Sequence, residues 1–117
     1  MKLITKEIEA AAPRPSHEEN KVPIGQRIAV AKFFDPTGRY TFWMTEYNPT
    51  DRIAFGYCLS PLDESCDELG YVSIAELEAV EGAFGLGIER DRHFDPKPLS
   101  EAVNEFLGHV PSVLANR

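Results

Sequence analysis

The chain has 117 residues, of which 43% are hydrophobic and 26% charged, and its formal net charge is −7. This length fits a single domain over residues 1–117, and the composition is near the globular average and far from that of a disordered protein. No apolar stretch reaches the roughly 18 residues of a membrane span, and the first residues do not resemble an export signal. We therefore expect a cytoplasmic protein without membrane contact, in which Cys58 and Cys66 are reduced thiols.

Residues 1–25 predict a short N-terminal helix followed by a polar loop. Thr5 is a candidate N-cap residue, and Pro13 and Pro15 end the helical pattern. Residues 13–25 are polar and rich in proline, which is typical of a loop. Apolar side chains recur at helical spacing before that loop, at Leu3, Ile4, Ile8, Ala11 and Ala12.

Residues 26–94 predict an antiparallel sheet with one inserted helix. Two short turn signals, Asp35-Pro36-Thr37-Gly38 and Asn48-Pro49-Thr50-Asp51, separate apolar and β-branched runs. Such short connections make successive strands antiparallel neighbours, so the sheet is expected to be a meander. The predicted strands are residues 26–34, 39–47, 52–59 and 69–73, with a short extended piece at residues 88–94.

Two further helices are predicted downstream. Ser73 and Glu76 fit a capping box at the start of one helix, which Gly82, Gly85 and Gly87 are expected to end. Residues 95–117 predict a last helix from Leu99 to Leu107, followed by a tail. The fold class is therefore α+β, a small antiparallel sheet of about four strands with two or three short helices packed on it.

The strand at residues 39–47 is apolar on both faces. Strict alternation places Tyr40, Phe42 and Met44 on one face, and Thr41, Trp43, Thr45 and Tyr47 on the other. Core packing is the favoured interpretation; the alternative is that helices cover one face and a partner covers the other.

The negative charge is concentrated in the middle of the chain. Residues 46–81 hold nine acidic residues and one basic residue, Arg52, for a net charge of −8. This excess of carboxylates disfavours direct nucleic-acid binding, which depends on Lys and Arg. It suits either a solvated face or a patch that meets a basic partner. The nine acids are Glu46, Asp51, Asp63, Glu64, Asp67, Glu68, Glu76, Glu78 and Glu81.

The order of several short motifs resembles one bacterial family, that of domain of unknown function 2958, over residues 1–102. The resemblance implies a bacterial origin and an accessory role on plasmids, conjugative elements or phage-like islands, and it implies no activity. Members often have a Trp-Thr-Trp-Tyr run where this chain has Tyr40-Thr41-Phe42-Trp43. The motifs are Leu3-Ile4-Thr5-Lys6-Glu7, Lys32-Phe33-Phe34 with Pro36, Trp43 with Thr45-Glu46, Phe55-Gly56, Glu68-Leu69-Gly70-Tyr71 with Ser73, Glu76-Leu77, and Ile88-Glu89-Arg90-Asp91 with His93-Phe94.

The densest candidate for chemistry lies at residues 89–95. If this segment is extended, Glu89, Asp91 and His93 share one face and could bind a divalent metal or share acid–base work. A metal-dependent hydrolase or nuclease would use such a site to activate water. The alternative is that these acids simply pair with the arginines beside them. No cofactor is predicted.

The sequence thus favours a non-catalytic protein-interaction module. Its partner would be basic or nucleic-acid-binding, and one form of the hypothesis is a nucleic-acid mimic. Besides the metal-dependent enzyme, the remaining alternative is a small-ligand-binding domain whose aromatic pocket contains Trp43 and Tyr47. The expected partner-binding residues are Asp63, Glu64, Asp67, Glu68, Trp43 and Tyr47.

Overall fold

A computed structural model describes residues 2–15, 21–80 and 86–115. Its main sheet has five antiparallel strands in the order β5-β4-β3-β2-β6, and β1 pairs with β7 in a separate two-stranded sheet. The predicted α+β class and the meander β2-β3-β4-β5 are confirmed. The strands are β1 (Ile28–Ala29), β2 (Ala31–Phe34), β3 (Thr41–Asn48), β4 (Ile53–Leu59), β5 (Glu68–Ser73), β6 (Glu89–Arg90) and β7 (Lys97–Pro98); the helices are α1 (Lys6–Ala11), α2 (Ile74–Ala79) and α3 (Leu99–Leu107).

The predicted helix caps are present. The Thr5 hydroxyl accepts a hydrogen bond from the Ile8 N–H at 3.1 Å, and the Ser73 hydroxyl accepts one from the Glu76 N–H at 3.2 Å. Helix α3 has the predicted bounds and ends at Gly108, whose φ of 82° is left-handed. Helix α2 ends at Ala79, ahead of the predicted glycines, of which Gly82 and Gly85 lie outside the described residues. In the described parts of the chain, no helix has both the length and the apolar character that a membrane crossing requires.

The predicted strand at residues 26–34 is divided in two because the chain changes partner within it. Ile28–Ala29 pairs with β7, whereas Ala31–Phe34 pairs with β3. Val30 lies between them, and its N–H donates to the Met44 carbonyl at 2.8 Å. A 3-10 turn at Ile24–Gln26 precedes both pieces. The expectation of one continuous strand was therefore wrong.

A β-bulge in β3 changes which residues face which side of the sheet. Met44 lies opposite Gly56 and Glu46 lies opposite Phe55, so Thr45 is an extra residue in β3. Before the bulge the predicted alternation holds. After it the side chains exchange faces, so Tyr47 joins the layer of Phe42 and Met44. Placing Tyr47 on the face of Trp43 was therefore wrong.

Both faces of the sheet are covered by the chain itself. One core layer contains Phe42, Met44 and Tyr47 of β3 together with Leu3 near the N-terminus and Ile74 of α2. The other contains the following residues of β3, β4, α3 and the C-terminal segment: Trp43, Tyr57, Leu59, Leu99, Val103 and Leu114. At Trp43 this second face is therefore closed by α3, which agrees with core packing and not with the alternative of a partner on this face.

Gly56 allows the close approach of β3 to β4 at the bulge. A Cβ atom on Gly56 would lie 1.8 Å from the Trp43 carbonyl oxygen, whereas a Cβ on Gly70 would meet nothing within 4 Å. We expect Gly56→Ala to lower the free energy of unfolding by about 1–3 kcal/mol, because the backbone must shift to admit the methyl group.

Gly70→Ala is the matched control, since Gly70 pairs with Gly56 across the same two strands. It should leave stability unchanged or raise it by up to about 1 kcal/mol. Urea denaturation of the two variants measures both effects. Equal stability of the two variants would contradict the bulge geometry.

Candidate functional site

Asp67 of the predicted acidic patch is part of the internal framework. Its two carboxylate oxygens accept hydrogen bonds from both terminal nitrogens of Arg39, at 2.6 and 2.7 Å. The Ser60 N–H also donates to it, at 2.7 Å. The hydrogen bonds from Arg39 lower the pKa of Asp67, although its partial burial opposes that shift. Asp67 therefore holds the β4–β5 loop in place and is not available as a free surface charge.

Two more acids of the negative segment are paired with arginines. Glu46 accepts a hydrogen bond from Arg27 at 2.8 Å, and its side chain is only 2% exposed. Glu78 lies 2.9 Å from Arg52. Burial favours the neutral form of Glu78, but hydrogen bonds from the Leu3 N–H and from Arg52 outweigh it and lower its pKa. Three of the nine carboxylates are thus neutralised within the fold.

The exposed carboxylates lie at two ends of the β4–β5 hairpin. Glu68 and the nearby Glu64 lie at the end marked by the pair Cys58–Glu68. Glu76 and Asp51, whose side chain accepts a hydrogen bond from the Ile53 N–H, lie at the opposite end, marked by the pair Ile53–Ser73. The two pairs are five residue steps apart along β5, which is roughly 17 Å at about 3.3 Å per residue. Of the described acids, those that are exposed and outside the arginine pairs therefore do not form one continuous face; Glu81 lies outside the described residues.

Asp63 is exposed, but its side chain caps a turn of the β4–β5 loop. Its side chain accepts hydrogen bonds from the N–H of Ser65, at 2.8 Å, and from the Ser65 hydroxyl. These bonds cap the 3-10 turn Glu64–Cys66 and lower the pKa of Asp63. Substitution of Asp63 would therefore change the loop as well as its charge.

Strand β5 is an edge of the main sheet in the described part of the chain. It pairs with β4 on one side, and the strand order ends there. Alternate residues of an edge strand direct their N–H and C=O groups away from the sheet. We call this feature the β5 edge, defined as the backbone of Glu68–Ser73 with Glu64, Glu68 and Glu76 at its two ends.

The segment predicted to carry metal or acid–base chemistry is not extended throughout. Strand β6 ends at Arg90, and Asp91 then accepts a hydrogen bond from the His93 N–H at 2.9 Å, which begins a turn. Asp91 also lies 3.8 Å from the Lys32 ammonium. Among the described residues no group of three or more His, Cys, Asp or Glu side chains could hold a metal ion. The common face predicted for Glu89, Asp91 and His93 is therefore not formed.

Trp43 and Tyr47 do not line a shared pocket. They lie on opposite faces of β3 and are 1% and 2% exposed. The Trp43 ring instead contacts Phe106 of α3, with ring centroids 5.7 Å apart, and the Lys32 ammonium lies 4.6 Å from the Phe106 ring centroid. Both aromatic residues therefore stabilise the core.

One cavity in the described part of the chain was missed by the sequence analysis. It measures about 540 Å³ and is bordered by the bulge residues Thr45 and Glu46 and by Arg27. The Glu46 carboxylate accepts hydrogen bonds from Arg27 and from the Thr45 hydroxyl. The sequence signal for this cavity is Glu46, a single carboxylate within an apolar strand. In the sequence analysis Glu46 is grouped with the acidic segment. We call this space the Arg27–Glu46 cavity; the rest of its lining is Ala11, Pro13, Val22, Gln26, Ile28, Val30 and Pro96.

Cys58 does not have the surroundings of a nucleophile. Both cysteines are free thiols; Cys58 is half-buried, and Cys66 is exposed in the β4–β5 loop. Burial raises the pKa of the Cys58 thiol, so it stays protonated at neutral pH.

These features define a class of protein, a small α+β fold whose sheet is covered on both faces and whose arginine–carboxylate pairs lie partly inside. The chain belongs to the family described as "Protein of unknown function (DUF2958)", whose model matches residues 3–106. The resemblance is thus confirmed, and the match extends to residue 106, a few residues beyond the stretch 1–102 over which the sequence resembled the family. No curated protein and no solved structure matches the chain significantly.

The Arg39–Asp67 pair makes stability depend on pH in a defined direction. Because the folded-state pKa of Asp67 is lowered, its contribution is present above its ordinary pKa of about 3.9 and is lost as the pH falls through the folded-state value. We expect Asp67→Asn to lower the free energy of unfolding at pH 7 by about 1.5–3 kcal/mol.

Chemical denaturation of both proteins at pH 7 and at pH 3 measures this effect, and the difference should shrink at the lower pH. Glu64→Gln is the control, since it removes an exposed carboxylate of the same loop and should change stability little. A difference that does not depend on pH would contradict the role given to the ion pair.

Proposed function

We propose that the protein is a non-catalytic interaction module that accepts an extended, basic segment of a partner protein as an additional strand on the β5 edge. The positions of the exposed carboxylates support this mode of binding. Glu64 and Glu68 lie at one end of the open strand and Glu76 at the other, while the more buried acids Glu46, Asp67 and Glu78 are already paired with arginines.

Strand addition would use both the open backbone of the β5 edge and the carboxylates at its two ends. Main-chain hydrogen bonds to the outward N–H and C=O groups provide affinity that is independent of sequence. The carboxylates at both ends then favour a segment with lysine or arginine and repel acidic ones. The charge therefore selects the partner, and the backbone binds it.

An aromatic ring beside the edge supports the same mode of binding. Tyr71 of β5 is 54% exposed, and its ring packs edge-on against Phe55 with centroids 5.0 Å apart. A lysine or arginine of an added strand can lie over such a ring. Tyr71 therefore provides a contact for the apolar stems of basic side chains.

The setting that we propose is a cytoplasmic accessory role on a bacterial mobile element, as the family resemblance implies. A basic partner fits this setting, because proteins that handle nucleic acid carry lysine- and arginine-rich segments. Mimicry of nucleic acid is the less favoured form of the proposal, since it needs a continuous row of carboxylates and the described acids are divided between two ends of a hairpin.

Binding of defined peptides tests the proposal. We expect an eight-residue peptide that alternates lysine and valine to bind the full chain, with affinity falling as salt is raised. The variant Glu64→Gln/Glu68→Gln/Glu76→Gln should bind this peptide about tenfold more weakly at low salt, because the charges at both ends of β5 are removed. The structural acids Asp63, Asp67 and Glu78 are left in place. Isothermal titration calorimetry measures both.

Two controls separate strand addition from general charge attraction. The variant Glu7→Gln/Asp95→Asn/Glu101→Gln removes the same number of exposed carboxylates away from β5 and should bind the peptide nearly as well as the wild type. A peptide with proline in place of each valine keeps its four lysines but cannot extend the sheet, and should bind poorly. Equal binding of the proline peptide would refute strand addition.

A further inference from the structure

The Arg27–Glu46 cavity has the size and lining of a small-molecule site. Its volume of about 540 Å³ lies within the roughly 300–1,000 Å³ of typical ligand pockets. Most of its wall is apolar, contributed by α1, the segment around β1 and the residue before β7. The polar groups are gathered at one place, where the bulge in β3 turns Glu46 towards Arg27.

The polar end of the cavity offers hydrogen-bond donors. A guanidinium has five N–H groups, and Arg27 uses one for the Val22 carbonyl, at 3.0 Å, and one for Glu46. Within the described residues the other three have no acceptor. Both oxygens of the Glu46 carboxylate already accept a hydrogen bond, one from Arg27 and one from the Thr45 hydroxyl. Arg27 therefore has N–H groups left over, and a ligand that carries an acceptor can take a hydrogen bond from them.

The charge at this end favours an uncharged ligand. The guanidinium and the carboxylate offset one another, so the pair is neutral as a whole. An anionic ligand would bring an uncompensated charge into a mostly apolar space, which is costly. A carbonyl oxygen accepts from the guanidinium without adding charge.

We propose that the Arg27–Glu46 cavity binds a small, largely apolar, uncharged molecule whose carbonyl oxygen accepts hydrogen bonds from Arg27. The apolar body of the ligand lies against Val30, Ile28 and Ala11, and its carbonyl group lies at the bulge. This site is separate from the β5 edge, and it stands or falls independently of the proposed function.

Three matched probes test both the position and the chemistry of the site. The probes 2-naphthamide, 2-methylnaphthalene and 2-naphthoate share one apolar body and differ in carrying a carbonyl amide, a methyl group or a carboxylate. We follow their binding to the full chain by the backbone amide resonances of Arg27, Val30 and Thr45 in NMR titrations. We expect 2-naphthamide to bind at least about threefold more tightly than either of the other two probes.

Two variants locate the effect. Removing Arg27 alone would leave a buried, unpaired carboxylate, so the pair is replaced together in Arg27→Met/Glu46→Leu. This variant should bind 2-naphthamide and 2-methylnaphthalene equally. Ala11→Phe places a ring at the cavity wall and should abolish binding of every probe, whereas Ala10→Phe, on an exposed neighbour outside the lining, should not.

Several results would overturn the proposal. Probes that shift none of the cavity resonances, or that bind Ala11→Phe as well as the wild type, would show that the cavity is not the site. Equal binding of 2-methylnaphthalene and 2-naphthamide by the wild type would exclude recognition by Arg27. Tightest binding of 2-naphthoate would show an anion site. If the double variant does not fold, the probe series on the wild type still tests the chemistry of the site, and the Ala11→Phe comparison still tests its position.

Discussion

The extra residue at Thr45 determines which side chains of β3 face each side of the sheet. Without it, Glu46 would face the layer of Phe42 and Met44, and a carboxylate would be buried in a purely apolar core. With it, Glu46 faces Arg27, and Tyr47 takes the core position. The bulge is possible because Gly56 lets the β3 backbone approach β4. One local irregularity thus provides both the core position of Tyr47 and the polar end of the cavity.

Pairing with arginines determines which carboxylates of the acidic segment remain available to a partner. Arg27, Arg39 and Arg52 each take a carboxylate from the acidic segment into the framework, where it holds a strand, a loop or a helix. Their partners cannot also be a docking surface, since a charge engaged at 2.6–2.9 Å is not available to a second ion without being released. The carboxylates that remain exposed are fewer than the sequence suggests, and they are divided between the two ends of β5.

Local signals in the sequence were sufficient for most of the fold. The caps Thr5 and Ser73, the turns between β2, β3 and β4, and the periodicity of α3 depend on residues a few positions apart. The bulge depends on the pairing of β3 with Gly56, and the ion pairs join residues 19 and 28 positions apart, Arg27 with Glu46 and Arg39 with Asp67. A single sequence contains no signal for such distant pairs. For this reason the acids were counted as one patch, and Trp43 and Tyr47 were placed on one face.

Strand β5 can bind a partner segment only if its outer edge is open, and amide hydrogen exchange reports on that edge residue by residue. On an open edge, exchange along Glu68–Ser73 should alternate. Amides that donate to β4 should be protected, and those that point outward should exchange at nearly the rate of an exposed chain. The alternating lysine–valine peptide should then slow the outward set alone. Uniform protection of β5 in the free protein would contradict the account, since it would mean that the edge is already covered.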